Sequence, residues 1–450
     1  MIWLFSTFLA RSTDYNNAMD NEMKKVAFHT LGCKLNYAET STIGRKFEAA
    51  GYQKIEFSEP ADLYVINTCS VTDNADREFR KIVNKAKRLS PLSKVAVIGC
   101  YAQLRPENIV ATSKVDIVLG MREKFNLLQH LDFDTASNSP IVIQDEEVDK
   151  LHGCTPSYSV GDRTRSFLKI QDGCDYPCTY CTIPLARGKS RSVDPDVLVG
   201  QAHEIARAGV KEIVLTGVNV GDYRYDKQTL IDLLKMLDEV EGIERIRISS
   251  IEPNLLTDEI IDFVAESKSI LPHFHIPLQS GSDKVLSLMK RRYGTELYKN
   301  RVRAVREKMP EAGIGVDVIV GFPGEDEDEF DQTYSFIESL DISYLHVFTY
   351  SERPNTEAID LPGKVGNRDR KSRNRRLTEL SQHKNHTFAL RQLNSAHKIL
   401  VETVQDDMLT GMTENYLRVH IPNESENRVN SIVDAELTGL RDSKILAGLI

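Results

Sequence analysis

The sequence predicts an α/β protein of three parts: an N-terminal parallel-sheet α/β domain, a partial (βα)6 TIM-type barrel, and a small C-terminal OB-like β-barrel. Three observations carry this. The chain has 450 residues, room for about three cores at roughly 150 residues each. Between 23 and 390, short β-branched runs alternate with helix-length amphipathic stretches, as parallel strands joined by crossover helices do. From 391 onward the runs are short, strand-like and punctuated by turn residues, which fits an antiparallel barrel.

Residues 1–22 open on the apolar MIWLFSTFLA, with no basic region before it and no convincing cleavage site after it, and are expected to be a disordered extension or the product of an upstream start codon mistaken for the true one. The first domain spans 23–135, with strand-like VAFHTLG, DLYVINT, KVAVIG and VDIVLG separated by helix-length pieces. Residues 136–159, rich in Ser, Pro, Asp and Glu, read as a linker or connecting strand. Six strand runs follow within 160–390: SFLKIQ, KEIVLTG, RIRISS, HFHIPLQSG, GVDVIVGF and YLHVFTY. Six βα units make six-eighths of a TIM barrel, whose active site lies at the strand C-terminal ends. The basic run from Lys364 to Arg376 starts the helix that closes this domain near Leu390, and 391–450 form the last barrel.

A net charge of −9 excludes a histone-like binder, so nucleic-acid contact must come from local patches. Seven cysteines are too few, and odd in number, for a disulfide framework, so a reducing, cytoplasmic location is expected. No run approaches 18 apolar residues, and no membrane partner is expected.

The chemistry sits in two sets of cysteines. Cys174, Cys178 and Cys181 form CxxxCxxC in DGCDYPCTYCTIP, directly after the first barrel strand. Three thiolates on one loop can hold three irons of a 4Fe-4S cluster and leave the fourth open. A zinc site would want a fourth ligand nearby, and this loop has none. Tyr180 offers an aromatic face to whatever binds the open iron. Cys33, Cys69 and Cys100 stand 36 and 31 residues apart, yet each follows a predicted parallel strand, so one sheet edge would gather all three sulfurs. A second three-cysteine cluster is favoured; three buried structural thiols are the alternative. Cys154 matches neither set and reads as a structural thiol.

The CxxxCxxC loop at the mouth of a partial barrel resembles the radical S-adenosylmethionine (SAM) superfamily. That resemblance implies SAM chelated by the open iron and cleaved reductively to a 5′-deoxyadenosyl radical. It places Thr216, Gly217, Val218 and Asn219 where the family contacts the SAM amino group. Further strand-end candidates are Ser249, Glu252, Gln279 and Ser280, with Gly321, Phe322 and Pro323 backing the adenine; all could instead be turn and packing residues.

Two cysteine sets, an N-terminal α/β domain, this barrel and a terminal β-barrel together resemble the methylthiotransferase family, whose last domain is a TRAM domain. TLGCKLNYAET, with Asn36 and Glu39 after Cys33, is similar to the threonylcarbamoyladenosine tRNA branch. The resemblance implies methylthiolation of adenine C2 at tRNA position 37 with two 4Fe-4S clusters, the N-terminal one carrying the sulfur. SAM serves as both methyl donor and radical source. It also implies an anticodon loop as partner, an electron donor and a sulfur source. Alternatives are the same chemistry on isopentenyladenosine tRNA or a ribosomal protein, or a non-catalytic iron-sulfur RNA-binding or sensor protein.

RNA contact is expected on three basic patches: Arg77, Arg80, Lys81, Lys85, Lys87 and Arg88; Lys290, Arg291 and Arg292; and Lys364 to Arg376. Each could equally be a solvated helix face. The terminal barrel has six Lys or Arg against nine acids, a weak electrostatic anchor. RGKS at Arg187–Ser190 lacks the upstream glycine of a phosphate loop, because Ile183 stands there, so ATP is not expected. Lys34, beside a cluster cysteine, is a candidate donor to a substrate carboxylate.

Overall fold

The computed structural model describes residues 23–69, 73–133, 139–161, 163–423, 428–441 and 444–450. The extension expected over 1–22 lies outside these. The first domain is a six-stranded parallel sheet of β1 (Lys25–Thr30), β2 (Gln53–Ile55), β3 (Leu63–Thr68), β4 (Lys94–Gly99), β5 (Ile117–Leu119) and β6 (Ile141–Ile143). Their order is β2-β1-β3-β4-β5-β6. Strand β3, LYVINT, is buried at every residue, as a parallel strand covered on both faces must be. Helix α1 (Lys34–Ala49) covers one face through Ile43 and Phe47, and α2 (Asp73–Leu89) covers the other through Phe79, Val83 and Ala86. Short α3 (Cys100–Leu104) and α4 (Pro106–Thr112) follow β4. The stretch expected to be a linker supplies the outer strand β6, parallel to β5, and further on β7 (Ser157–Tyr158), which pairs into the barrel. Its IVI run had been hidden by polar neighbours.

The second domain is the partial barrel. Its parallel strands are β8 (Arg165–Lys169), β11 (Glu212–Thr216), β14 (Arg245–Ile248), β15 (His273–His275), β16 (Gly313–Val320) and β17 (Tyr344–Thr349). Bridges Ile246–Ile270 and Ser250–His275 join its two sheets in sequence order. Between them lie the minor strands β9 (Gln171–Asp172), β10 (Arg191–Ser192), β12 (Arg224–Tyr225) and β13 (Gln228–Thr229). Alternate strand residues such as Ile213, Leu215, Ile246, Val316 and Val318 pack outward under the helices. These helices are α6 (Pro195–Arg207), α7 (Leu230–Asp238), α8 (Asp258–Glu266), α9 (Asp283–Leu288), α10 (Thr295–Lys308) and α11 (Glu327–Ser339), while the short α5 (Ile183–Arg187) packs against Cys100 and Met121 of the first domain. The period-2 alternation leaves the other residues of each strand facing the lumen. Helix α12 (Asn367–Arg391) closes the domain against β17, where the sequence put it.

The terminal residues form a closed barrel, β18-β19-β20-β22-β21, from β18 (Ala396–Gln405), β19 (Met408–Met412), β20 (Arg418–Pro422), β21 (Ile432–Arg441) and β22 (Lys444–Leu449). It is fastened to the bottom of the large barrel by buried charge. Glu212 accepts from Arg245 at 2.7 Å and Arg247 at 3.1 Å, and both arginines donate onward to the Thr413 carbonyl at 3.0 and 3.3 Å. Burial would raise the Glu212 carboxyl, but Arg247, Arg245 and Arg165 hold it down at about 2. Among the described residues, no helix is long and apolar enough to cross a membrane.

Candidate functional site

The three neighbouring strands β1, β3 and β4 end together, and register pairs Thr68 with Gly99, so Cys69 and Cys100 emerge side by side. Gly32 and Gly99 both have φ of +98°, the left-handed region in which glycine is unstrained. A Cβ on Gly32 would lie 2.7 Å from the Cys69 Cβ and 3.0 Å from its Sγ, so this glycine lets the Cys33 loop close onto Cys69. Asn36 fixes the turn by donating to the carbonyls of Leu31 at 3.0 Å and Thr68 at 3.1 Å. One sheet edge therefore carries all three cysteines, as their positions after strands predict.

Cys174, Cys178 and Cys181 lie on the loop between β9 and α5, at the C-terminal end of β8. The loop is pinned by Cys174 N–H to the Gly188 carbonyl (3.0 Å) and Thr179 N–H to the Met289 carbonyl (3.3 Å). Burial pushes the Cys174 and Cys181 thiols up to about 12, and raises Cys178 as well. A bound cationic cluster is what would make these sulfurs thiolates. N–H groups already point at them: Tyr176 N–H on Cys174 Sγ at 3.4 Å and Arg291 on Cys178 Sγ at 3.0 Å. The donor set fits a cluster held on three cysteines. Cys154 belongs to neither set, and burial pushes its thiol up to about 11 as well.

A buried knot of charge lies between the first sheet edge and the helix that follows the cysteine loop. Arg187, on the helix beginning two residues after Cys181, donates to Cys100 Sγ at 3.3 Å and to Asn36 Oδ1 at 2.5 Å. It also binds Glu39 at 3.2 Å and Asp172 at 2.8 Å. Glu39, fully buried, further accepts from Lys124 at 2.7 Å and Lys169 at 2.8 Å. Burial would raise the Glu39 carboxyl, but Arg187, then Lys124 and Lys169, hold it well below the usual carboxylate range. One guanidinium thus ties the sheet edge of the first domain to the cysteine loop of the barrel.

The strand-end candidates separate into two groups. Thr216 ends β11, and the loop after it is held by Gln171 Oε1, which accepts from Val218 N–H at 2.9 Å and Asn219 N–H at 3.0 Å. The Asn219 amide is buried, and neither its oxygen nor its nitrogen has a partner among the described residues, as expected of a side chain awaiting a polar ligand. Gln279 sits at φ +67°, a strained conformation for a side-chain-bearing residue. Ser249 directly follows β14. Thr216, Asn219, Ser249 and Gln279 all stand at or just beyond the C-terminal ends of barrel strands.

Other candidates are engaged elsewhere. Ser280 hydrogen-bonds Thr333 under α11. Gly321 makes room for the Arg370 side chain, which a Cβ would meet at 2.3 Å. Phe322 is buried edge-to-face between Tyr180 and Tyr350. Glu252 pairs with Arg291, which also reaches the Tyr180 hydroxyl at 3.3 Å, so Glu252 and Tyr180 belong to the surroundings of the cysteine loop.

Two of the basic patches change meaning. Arg291 is buried against Cys178 rather than offered to RNA, and Arg292 lies over the Tyr176 ring at 4.0 Å. Arg370 and Arg373 are buried, bound to Glu352 and Glu325, each at 2.7 Å; Arg376 pairs with Glu327 and Asp331. Lys364, Arg368, Lys371 and Arg375 remain exposed. On α2, Lys87 is taken by Asp116 at 3.0 Å, while Arg77, Arg80, Lys81, Lys85 and Arg88 are exposed. Sequence reading passed over Arg187, Lys124, Lys169 and Asp172. The available signal was a charge inside an apolar run, as in SFLKI, which on a barrel strand means a lumen-facing position.

Comparison with known proteins agrees with this architecture. Residues 168–337 match the Radical SAM superfamily model and 25–120 match the Uncharacterized protein family UPF0004. The chain is 40% identical to the threonylcarbamoyladenosine tRNA methylthiotransferase MtaB of Bacillus subtilis (strain 168), over 92% of this chain and 94% of that one. It is also 40% identical to the protein of the same name from Aquifex aeolicus (strain VF5), over 91% and 99%. A tRNA-2-methylthio-N(6)-dimethylallyladenosine synthase from Bacteroides thetaiotaomicron is 31% identical over 94% and 96%. The fold is similar to that of the radical SAM methyltransferase TsrM from Kitasatospora setae, with TM-score 0.55 and 15% identity over 75% of this chain and 77% of that one.

Proposed function

The chain belongs to the MtaB-type family of radical SAM tRNA methylthiotransferases, and on that premise we propose that it transfers a methylthio group to C2 of N6-threonylcarbamoyladenosine at position 37 of tRNA. In this reading Cys33, Cys69 and Cys100 hold one 4Fe-4S cluster, and Cys174, Cys178 and Cys181 hold the other. The observation that supports it most is Arg187, which touches Cys100 Sγ from the helix that follows Cys181 and so links the first cysteine set to the element directly after the second. A reduced cluster on Cys174, Cys178 and Cys181 would give one electron to SAM bound at its open iron, and this chemistry would supply a primary carbon radical able to take the hydrogen from a C2 carbon that acid–base chemistry does not reach. Thr216, Gly217, Asn219, Ser249 and Gln279 hold SAM at the strand ends, with the Asn219 amide providing an unspent donor and acceptor. Arg291 steadies the Cys178 sulfur and is itself oriented by Glu252. The tRNA anticodon loop approaches over the exposed cations of α2 and of the start of α12.

Anaerobic reconstitution tests this. The protein should bind about eight irons as two cubanes. Cys178→Ala should lose one cluster together with reductive SAM cleavage. Cys69→Ala should lose the other cluster while SAM cleavage persists. A Cys69→Ala variant with full iron content would remove the second cluster from the proposal.

A further inference from the structure

The lumen of the large barrel holds a polar layer that the proposed clusters and SAM contacts leave unused. His275, Asp317 and His346 come from the adjacent strands β15, β16 and β17, and their ligand atoms lie within 4.8 Å of one another. His275 Nε2 is 2.8 Å from Asp317 Oδ1, and Asp317 is the register partner of His346. Below them the lumen is floored by stacked rings. His273 meets Tyr416 of the terminal barrel at 4.3 Å, and its Nε2 bonds the Tyr344 hydroxyl at 2.8 Å.

Lys34, solvent-exposed at the start of α1, faces the lumen from the other side. It shares a face of α1 with Tyr37 and Ala38, three and four residues on, and these two pack against Phe167 and Val214 on the inner wall of the barrel. Its charged neighbours are Arg165, Arg247, Asp317 and the Tyr416 phenol. The buried and half-buried cations around the lumen are paired: Lys169 and Arg187 with Glu39 and Asp172, Arg245 and Arg247 with Glu212, Arg165 with Glu402, and Arg291 with Glu252, while exposed Arg163 lies over the Tyr37 ring. The Lys34 ammonium has no hydrogen bond or ion pair among the described residues. An unspent cation beside a carboxylate–imidazole pair suits a ligand that carries an anion and a hydroxyl, and it penalises an apolar one, which would strand these groups.

We infer that this layer is the specificity subsite for the substituent on N6 of the target adenosine: Lys34 binds its carboxylate, while Asp317, oriented by His275 and flanked by His346, accepts its hydroxyl. The inference rests on the proposed substrate and deepens it. On adenine, C2 and the N6-bearing C6 flank N1, and His275 and Asp317 adjoin the strand-end residues Ser250 and Gln279 through backbone pairing, so a base with C2 at the strand ends can set its N6 substituent against this layer. Lys34 and Arg247 also make the layer a poor host for a divalent cation, although two imidazoles and a carboxylate would otherwise suit one.

The test uses reconstituted holoenzyme and anticodon stem-loop fragments bearing threonylcarbamoyladenosine, its methyl ester, its glycine analogue, or isopentenyladenosine. A charge-assisted contact of this kind is worth roughly 10- to 100-fold in kcat/KM. Lys34→Met should lower turnover of the acid by that factor and of the ester by less than about 3-fold, and Lys34→Arg should restore most of the difference. Asp317→Asn should penalise the threonine substrate over the glycine analogue. Equal losses on acid and ester would overturn the inference, because they would report damage beside Cys33. So would a wild-type enzyme indifferent to the ester, or a tightly held non-iron metal that disappears in His346→Ala. A wild type that modifies only the isopentenyl fragment would instead refute the proposed substrate.

Discussion

Replacing Glu39 with Gln should destabilise the protein more than any surface charge reversal would. Glu39 is fully buried and lies within 3.3 Å of nitrogens from Lys124, Lys169 and Arg187. The amide keeps the shape and one acceptor, but removes the anion on which three buried cations converge and leaves Asp172 as their counter-charge. Breaking a buried ion pair from one side costs about 3–5 kcal/mol. The pH dependence follows from the depressed carboxyl. The Glu39 pKa is lower folded than unfolded, so its contribution is complete above the unfolded value of about 4.3 and is lost as pH falls toward the folded value. Urea denaturation of the metal-free protein should therefore show the full deficit at pH 7 and a narrowing gap to wild type below about pH 4. A deficit under about 1 kcal/mol, or one that stays constant down to pH 3, would refute the claim that this knot fastens the two domains.

Arg291→Met removes a positive charge and an N–H donor from Cys178 Sγ, so the potential of the cluster proposed on Cys174, Cys178 and Cys181 should become more negative in a spectroscopic redox titration; an unchanged potential would show that the arginine only packs. Arg373→Ala should lower the melting temperature, because it strands the buried Glu325. Neutralising Lys364, Arg368, Lys371 and Arg375 together should leave the melting temperature nearly unchanged and weaken tRNA binding. The slope of log affinity against log salt should then fall by up to about 0.7–0.9 per lost phosphate contact, and an identical slope would assign the start of α12 to solvent.

The sequence by itself determined whatever is written in local periodicity and short spacing. Alternating strand and helix runs define the parallel sheet and the six barrel strands, because a side-chain period of two or 3.6 residues is a property of the segment alone. CxxxCxxC is legible because three thiols on one loop are already neighbours. Cys33, Cys69 and Cys100 are legible for a different reason: each follows a strand of one parallel sheet, and parallel strands end on the same side. Tertiary structure decided the partners of the charges. Arg373 sits among six other cations in sequence and reads as a solvated patch, yet its partner Glu325 lies 48 residues away. Arg187 looks like part of a failed phosphate loop, yet it binds Glu39 across 148 residues. Lys34 and the trio His275, Asp317 and His346 share a chamber only because α1 of the first domain lies against the open barrel. Burial and pairing of a charge are set by what other segments bring to it, and no local window contains that information.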